Sequence, residues 1–220
     1  MSRSTAYELP LVDVLRQSGT AAGDPTVFQT VSGEISARYH PVAGGLATRA
    51  VVWLPGCGGG LDGPAHGLYR QLAMELQTLG IESLRIDYRR INRIEECVRD
   101  CLVGVHWLSR ERGIDRIAVV GYSFGAAVAL TAGVAAREVN AVAALAAPTG
   151  GFESVDRLAK PLFLGHGELD DVVPAATTLL NEERAAGDVV CRIYPGGHHD
   201  LEECRDTLSA DLMTWLDENL

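Results

Sequence analysis

Residues 117–127 read IAVVGYSFGAA, and the reading of this stretch decides the fold. Residues 117–120 are aliphatic and uninterrupted, the pattern of a short strand buried on both faces. They run into Gly121-Tyr122-Ser123-Phe124-Gly125, and the small-residue stretch 124–136 behind them reads as a helix. A serine flanked by glycines two positions either side, between a strand and a helix, has the G-x-S-x-G pattern of a nucleophile elbow. The chemistry explains the residue types. The turn must be sharp enough to lift a hydroxyl above the sheet, and only glycine at the −2 and +2 positions avoids collisions between neighbouring backbones. The first N–H groups of the following helix then face any negative charge that develops beside the hydroxyl.

Outward from the elbow, the chain alternates short β-rich runs with amphipathic stretches. Residues 34–42 alternate like a strand, and 50–54 (AVVWL) form a continuous apolar run closed by Pro55-Gly56. Residues 66–79 carry Leu68, Leu72, Leu76 and Leu79 at helical spacing, with Gly80 as the stop. Strands are expected over 81–86, 141–146, 162–164 and 189–194, and helices over 94–108, 175–186 and 201–216. This β-α alternation with unbroken apolar strands implies an α/β chain with a mostly parallel central sheet covered by helices on both faces. Residues 1–25 read as an N-terminal extension with a short helix over 9–17, lying over the surface or partly disordered, and 26–220 as the domain.

A serine hydroxyl becomes a nucleophile only when a base accepts its proton, and the base needs an acid to fix its tautomer. In elbow-containing folds these follow the serine in the order acid, then histidine. The acid segment is LFLGHGELDDVVP (162–174), an apolar strand running into Gly-His-Gly and then carboxylates. Its candidates are Asp170, Asp171 and Glu168; Asp170 is chosen, and Asp171 is read as an acid favouring the next helix dipole. The base segment is YPGGHHD (194–200): side chains at adjacent positions point apart, so one histidine faces Ser123, and the spacing from Pro195-Gly196 favours His199 over His198. His166 reads as a turn residue packing beside the acid loop, and His40 and His106 as strand and helix residues away from strand ends.

Acyl transfer also needs donors aimed at an oxyanion. One is the backbone N–H of Phe124, directly after Ser123. The second is expected from the loop LPGCGGGLDG (54–63), where Cys57 N–H is chosen and Gly58 comes next. Gly58, Tyr69 and Tyr122 are the candidate substrate contacts, and His66 follows the same loop. The loop has neither a G-K-[ST] nor a G-x-G-x-x-G pattern, so it is not read as a phosphate cradle.

The chain has 220 residues, one large domain or two very small ones at about 150 residues per domain. Apolar residues make up 47% and charged residues 22%, which excludes a disordered chain. A net charge of −10 argues against nucleic acid or an anionic membrane as partner. Residues 1–10 are polar and unlike a signal peptide, and no apolar run is long enough to span a bilayer. The five cysteines include no C-x-x-C pair, so free thiols in a reducing cytoplasm are expected and a zinc site is not.

The pieces LPGCGGG (54–60), GIESLRIDYR (80–89), IAVVGYSFGAA (117–127), LGHGELDDVVP (164–174) and YPGGHHDL (194–201) resemble, in this order, the α/β-hydrolase superfamily, nearest its dienelactone-hydrolase-like group. The resemblance implies the α/β-hydrolase fold, a triad of Ser123, Asp170 and His199, and an oxyanion hole from Cys57 and Phe124. Three positions depart from the family pattern. The usual His-Gly of the oxyanion loop is Pro55-Gly56, the nucleophile is serine where true dienelactone hydrolases have cysteine, and Asp200 follows the base. Only about ten residues, 149–158, lie where lids are inserted in this superfamily, so no cap domain and an open site are expected. The activity implied is cleavage of small carboxylic esters or thioesters without cofactor or metal, by a cytoplasmic monomer or homodimer. The alternatives are an amide or peptide hydrolase, an acyltransferase or cyclase using the same triad, or a binding protein that keeps the fold.

Overall fold

The computed structural model describes residues 7–20, 22–44, 47–91, 93–148 and 155–220. Nine strands form one sheet: β1 (Leu11–Arg16), β2 (Asp24–Thr30), β3 (Gly33–His40), β4 (Arg49–Leu54), β5 (Ile81–Asp87), β6 (Arg116–Tyr122), β7 (Val139–Leu145), β8 (Leu162–Gly167) and β9 (Val189–Tyr194). Their order is β1-β2-β3-β5-β4-β6-β7-β8-β9. The first three strands and the β3–β5 pair are antiparallel, and every pairing from β5 to β9 is parallel. The five principal helices are α1 (Pro64–Thr78), α2 (Ile94–Arg110), α3 (Phe124–Ala135), α4 (Ala176–Arg184) and α5 (Arg205–Asn219). No described helix is long and apolar enough to cross a membrane.

The strands read as continuous apolar runs because both faces of the sheet are covered. On β4 and β6, Val52, Leu54, Ile117 and Val119 point to one face and pack with α2 and α3. Val51, Trp53, Ala118 and Val120 point to the other and pack with α1 and α5. The period of two within a strand thus splits one run of apolar residues between two cores. On α2, Cys97, Val98, Cys101, Val105 and Leu108 are fully buried, the stripe its spacing predicts.

The N-terminal reading needs correction. Residues 9–17 are not helical: Leu11–Arg16 is the edge strand β1, paired with β2, and the boundary drawn at residue 25 falls inside β2. The apolar pairs Leu11-Val12 and Val14-Leu15 imitate helical spacing because this edge strand is exposed on both faces, so no alternation marks it. Helix α1 differs too: Ala65, His66 and Gly67 have φ of 50°, 51° and 95°, so regular helix begins only after them.

Residues 146–161 connect β7 to β8, too few for a cap domain. The lid segment named from sequence, 149–158, falls mostly outside the described residues, of which Val155 and Leu158 are buried in the core. β4 sits where successive connections leave in opposite directions, toward β5 on one side and β6 on the other. In open α/β sheets a crevice forms at such a switch point, beyond the carboxyl ends of the strands.

Candidate active site

The elbow follows from collisions that glycine avoids. A Cβ on Gly121 would run into the Gly125 carbonyl, and one on Gly125 would lie 2.6 Å from the Leu54 carbonyl oxygen and against that of Pro55. The turn therefore packs its two ends together and onto the end of β4. Ser123 carries the strain, with φ 53° and ψ −121° in a region costly for an L-residue. Its N–H donates to the Leu145 carbonyl at 2.8 Å and its own carbonyl accepts from Ala126 at 2.9 Å, which holds the turn between β7 and α3.

Three strands deliver three side chains to one place. Ser123 follows β6, Asp170 lies three residues beyond β8, and His199 five beyond β9. His199 Nε2 is 3.0 Å from Ser123 Oγ, and His199 Nδ1 is 2.7 Å from Asp170 Oδ2. A carboxylate only accepts, so Nδ1 carries the proton and Nε2 turns a lone pair to the hydroxyl. The acid and base loops are tied together: the Glu168 and Leu169 N–H groups donate to the carbonyls of Tyr194 (2.9 Å) and Gly197 (2.8 Å). Gly167 allows this approach, since a Cβ there would be 2.5 Å from the His198 carbonyl oxygen.

Asp170 is buried, yet its carboxyl is held below the usual range. Burial pushes it up, but the N–H groups of Val173 and Val172 and the His199 ring outweigh that cost by bonding the charged form. Oδ1 accepts from Val173 at 2.7 Å and from Val172 at 2.9 Å. The other candidates point elsewhere. Glu168 accepts from the Gly196 N–H at 3.2 Å, Asp171 is exposed, and exposed His198 has its N–H on Glu203 at 3.2 Å.

The glycine-rich loop lies against the elbow. A Cβ on Gly56 would sit 3.4 Å from the Ser123 Cβ and 3.2 Å from the Tyr122 ring. The Gly59 N–H closes a turn onto the Gly56 carbonyl at 3.0 Å, placing Cys57 and Gly58, both exposed, at its two central positions. Phe124 is the first residue of α3, so its N–H has no acceptor within the helix. Tyr122 is half-buried beside the site, its ring 5.3 Å from that of His199.

Tyr69, read from sequence as a substrate contact, is instead buried beneath the loop. Its ring packs 4.9 Å from Trp53 and its hydroxyl donates to the Leu54 carbonyl at 3.2 Å, because helical spacing turns it to the sheet with Leu68 and Leu72. Two residues overlooked in the sequence hold the loop from β5. Asp87 accepts from the Gly60 N–H at 2.9 Å, and buried Arg85 donates to the Leu61 carbonyl at 3.1 Å and to Asp62 at 2.7 Å. Arg85 also donates to His40 at 3.1 Å; burial and this guanidinium lower the imidazole to about 4 and keep it neutral. The signal for Arg85 was a charged residue between two apolar ones, Leu84 and Ile86, in a strand. His166, read as a turn residue, is the buried penultimate residue of β8 and lies against Asp170.

An open cleft of about 890 Å³ extends from Tyr122 and Asp200 along α1, lined by His66, Arg70 and Arg205 among others. The strained Ala65–Gly67 turn forms its wall, anchored by the Ala65 N–H on the Asp200 carbonyl at 2.8 Å and by His66 Nε2 at 2.8 Å from Glu202.

The model of the dienelactone hydrolase family matches residues 82–212, more than half of the chain. The chain belongs to the dienelactone hydrolase family. Solved structures agree in fold. A protein of unknown function from Agrobacterium tumefaciens superposes with a TM-score of 0.79 at 20% identity, over 88% of this chain and 95% of that one. A dienelactone hydrolase from Anabaena variabilis gives 0.74 at 18%, over 89% and 99%. A lidless α/β serine hydrolase from Xanthomonas campestris gives 0.71 at 19%, over 95% and 97%. No curated protein sequence matches the chain. The α/β-hydrolase fold expected from the sequence is therefore the fold observed, and the family takes small-molecule substrates.

Proposed function

We propose that this dienelactone hydrolase family member is a serine hydrolase that cleaves carboxylic esters or thioesters of small acyl substrates through an acyl-enzyme on Ser123. The observation that carries the reading is the continuous chain from Ser123 Oγ to His199 Nε2 at 3.0 Å and from His199 Nδ1 to Asp170 Oδ2 at 2.7 Å. Ser123 Oγ attacks the carbonyl carbon as its proton passes to His199 Nε2. The N–H groups of Phe124 and Cys57 receive the charge that moves to the carbonyl oxygen. Collapse expels the alcohol or thiol, which takes the proton back from His199. Water then loses a proton to the same nitrogen and attacks the acyl-enzyme; as the Ser123 Oγ–acyl bond breaks and the acid leaves, His199 returns that proton to Ser123 Oγ. Asp170 keeps its charge throughout and stabilises the imidazolium.

Access supports small substrates. The short β7–β8 connection leaves no room for a cap domain, Tyr122 lines an open cleft, and Gly58 is exposed on the neighbouring loop. A panel of p-nitrophenyl acetate, short acyl thioesters and matched anilides tests this reading. Burst release of p-nitrophenol followed by slower turnover is expected, with esters and thioesters ahead of anilides. Turnover of anilides alone, or none by folded protein, would overturn it.

A further inference from the structure

We propose that His166, with its tautomer set by Thr178, is a positioning residue that fixes the carboxylate of Asp170 toward His199. This rests on the serine hydrolase reading for its effect on rate, but the geometry behind it is independent of substrate.

His166 and the Asp170 side chain are both 0% exposed. His166 Nε2 lies 3.0 Å from Asp170 Oδ2 and 2.8 Å from the Val173 carbonyl oxygen. Both of those oxygens only accept, so Nε2 carries the proton; its hydrogen bond runs to the Val173 carbonyl, with Asp170 Oδ2 in close polar contact beside it. On the other side of the ring, Nδ1 is 2.7 Å from the hydroxyl of Thr178, which is 0% exposed on α4. The hydroxyl is the donor there, so neutral His166 is satisfied at both nitrogens and needs no charge.

The consequence lies in which oxygen is shared. Oδ2 is the atom that His199 Nδ1 contacts at 2.7 Å, and the same atom receives His166. Oδ1 is held by two backbone N–H groups, from Val172 and Val173. The backbone pair alone fixes one oxygen and leaves the carboxylate able to pivot about it. The His166 ring edge stands 3.0 Å from the second oxygen, at the point where a swing would lengthen the bond to His199. The Val173 carbonyl, bonded to the same ring nitrogen, ties the backbone of the acid loop to the same anchor. The series Thr178–His166–Asp170–His199–Ser123 thus carries two histidines on one carboxylate. One of them is sealed in the core, and the other, 17% exposed, faces the elbow.

The test compares His166→Phe, which keeps the ring volume without an N–H, with His166→Gln, whose amide nitrogen can occupy the place of Nε2. His166→Phe is expected to lower kcat about 10–100-fold, the worth of the Val173 hydrogen bond and of a polar contact to a buried charge, with KM nearly unchanged. His166→Gln is expected to recover most of that loss. Thr178→Val and Thr178→Ser form a second pair: Val is expected to lower kcat in the same direction and Ser to restore it, which decides the matter if His166→Phe does not fold. The downfield ¹H resonance of the His199 Nδ1 proton provides a readout without turnover. It is expected to shift and broaden in His166→Phe and in Thr178→Val and to stay near its wild-type position in His166→Gln and Thr178→Ser. A wild-type kcat and an unmoved resonance in both His166→Phe and Thr178→Val would overturn the proposal. So would Thr178→Val alone behaving as wild type where His166→Phe cannot be made. If wild-type protein is folded but inert toward esters, the hydrolase reading fails, while the resonance still decides the role of His166.

Discussion

Asp170 and Asp100 are both carboxylates with fully buried side chains, and the sheet treats them in opposite ways. Asp100, on α2, meets Arg89, whose Nε lies 2.6 Å away and whose backbone N–H donates at 2.9 Å. Burial raises its carboxyl above the usual range in spite of those bonds. Asp170, past β8, meets two histidines and two backbone N–H groups, and its carboxyl is lowered although burial pushes it up. Burial is common to both, so it does not make a site. What separates them is the partner. A guanidinium holds its proton at any ordinary pH, so Asp100–Arg89 is a fixed strut between the loop after β5 and α2. An imidazole can take up and return a proton, and His199 holds that imidazole 3.0 Å from a hydroxyl on a strained turn.

This contrast can be broken by substitution. The largest effect is expected at the base: His199→Ala should lower kcat about 10⁶-fold, whereas the adjacent exposed His198→Ala should leave steady-state ester turnover close to wild type. Asp170→Asn should lower kcat about 10⁴-fold with KM little changed, by favouring the wrong His199 tautomer, as steady-state kinetics would show. Arg89→Met should do the reverse, leaving kcat intact while denaturant unfolding records a loss on the order of 3 kcal/mol as the buried Asp100 carboxylate loses its partner.

The two acids also predict opposite slopes in stability against pH. The lowered Asp170 carboxyl contributes stability that is present above its unfolded pKa of about 4 and is lost as pH falls through the folded value, so Asp170→Asn should flatten the acid limb. The raised Asp100 carboxyl binds its proton more tightly when folded, so its titration removes stability as pH rises above about 4, and Asp100→Asn should remove that slope. The smallest effect is expected beneath the glycine-rich loop. Tyr69→Phe removes only the bond to the Leu54 carbonyl and should cost about 1 kcal/mol in thermal unfolding, with little change in KM.

Much of this was legible in the sequence because local rules govern it. The parallel strands announce themselves as apolar runs buried on both faces, and the elbow as a serine between two glycines that backbone collisions require. Asp170 and His199 could be selected because each follows a strand by a few residues. Less visible was everything that depends on pairing across the sheet. β1 is an edge strand exposed on both faces, so its apolar spacing looked helical. Tyr69 stands near the loop in sequence, but the helix period turns it into the core. Arg85, Asp87 and His166 act on residues 23, 27 and 4 positions away through contacts that no periodicity encodes.

Activation of the serine by the Ser123–His199–Asp170 chain can be checked by incubating folded protein with a fluorophosphonate and mapping the adduct by mass spectrometry. One adduct is expected, on Ser123, forming at least about 10³-fold more slowly in His199→Ala. An adduct on Cys57, no adduct on folded wild-type protein, or equal labelling of His199→Ala would contradict it.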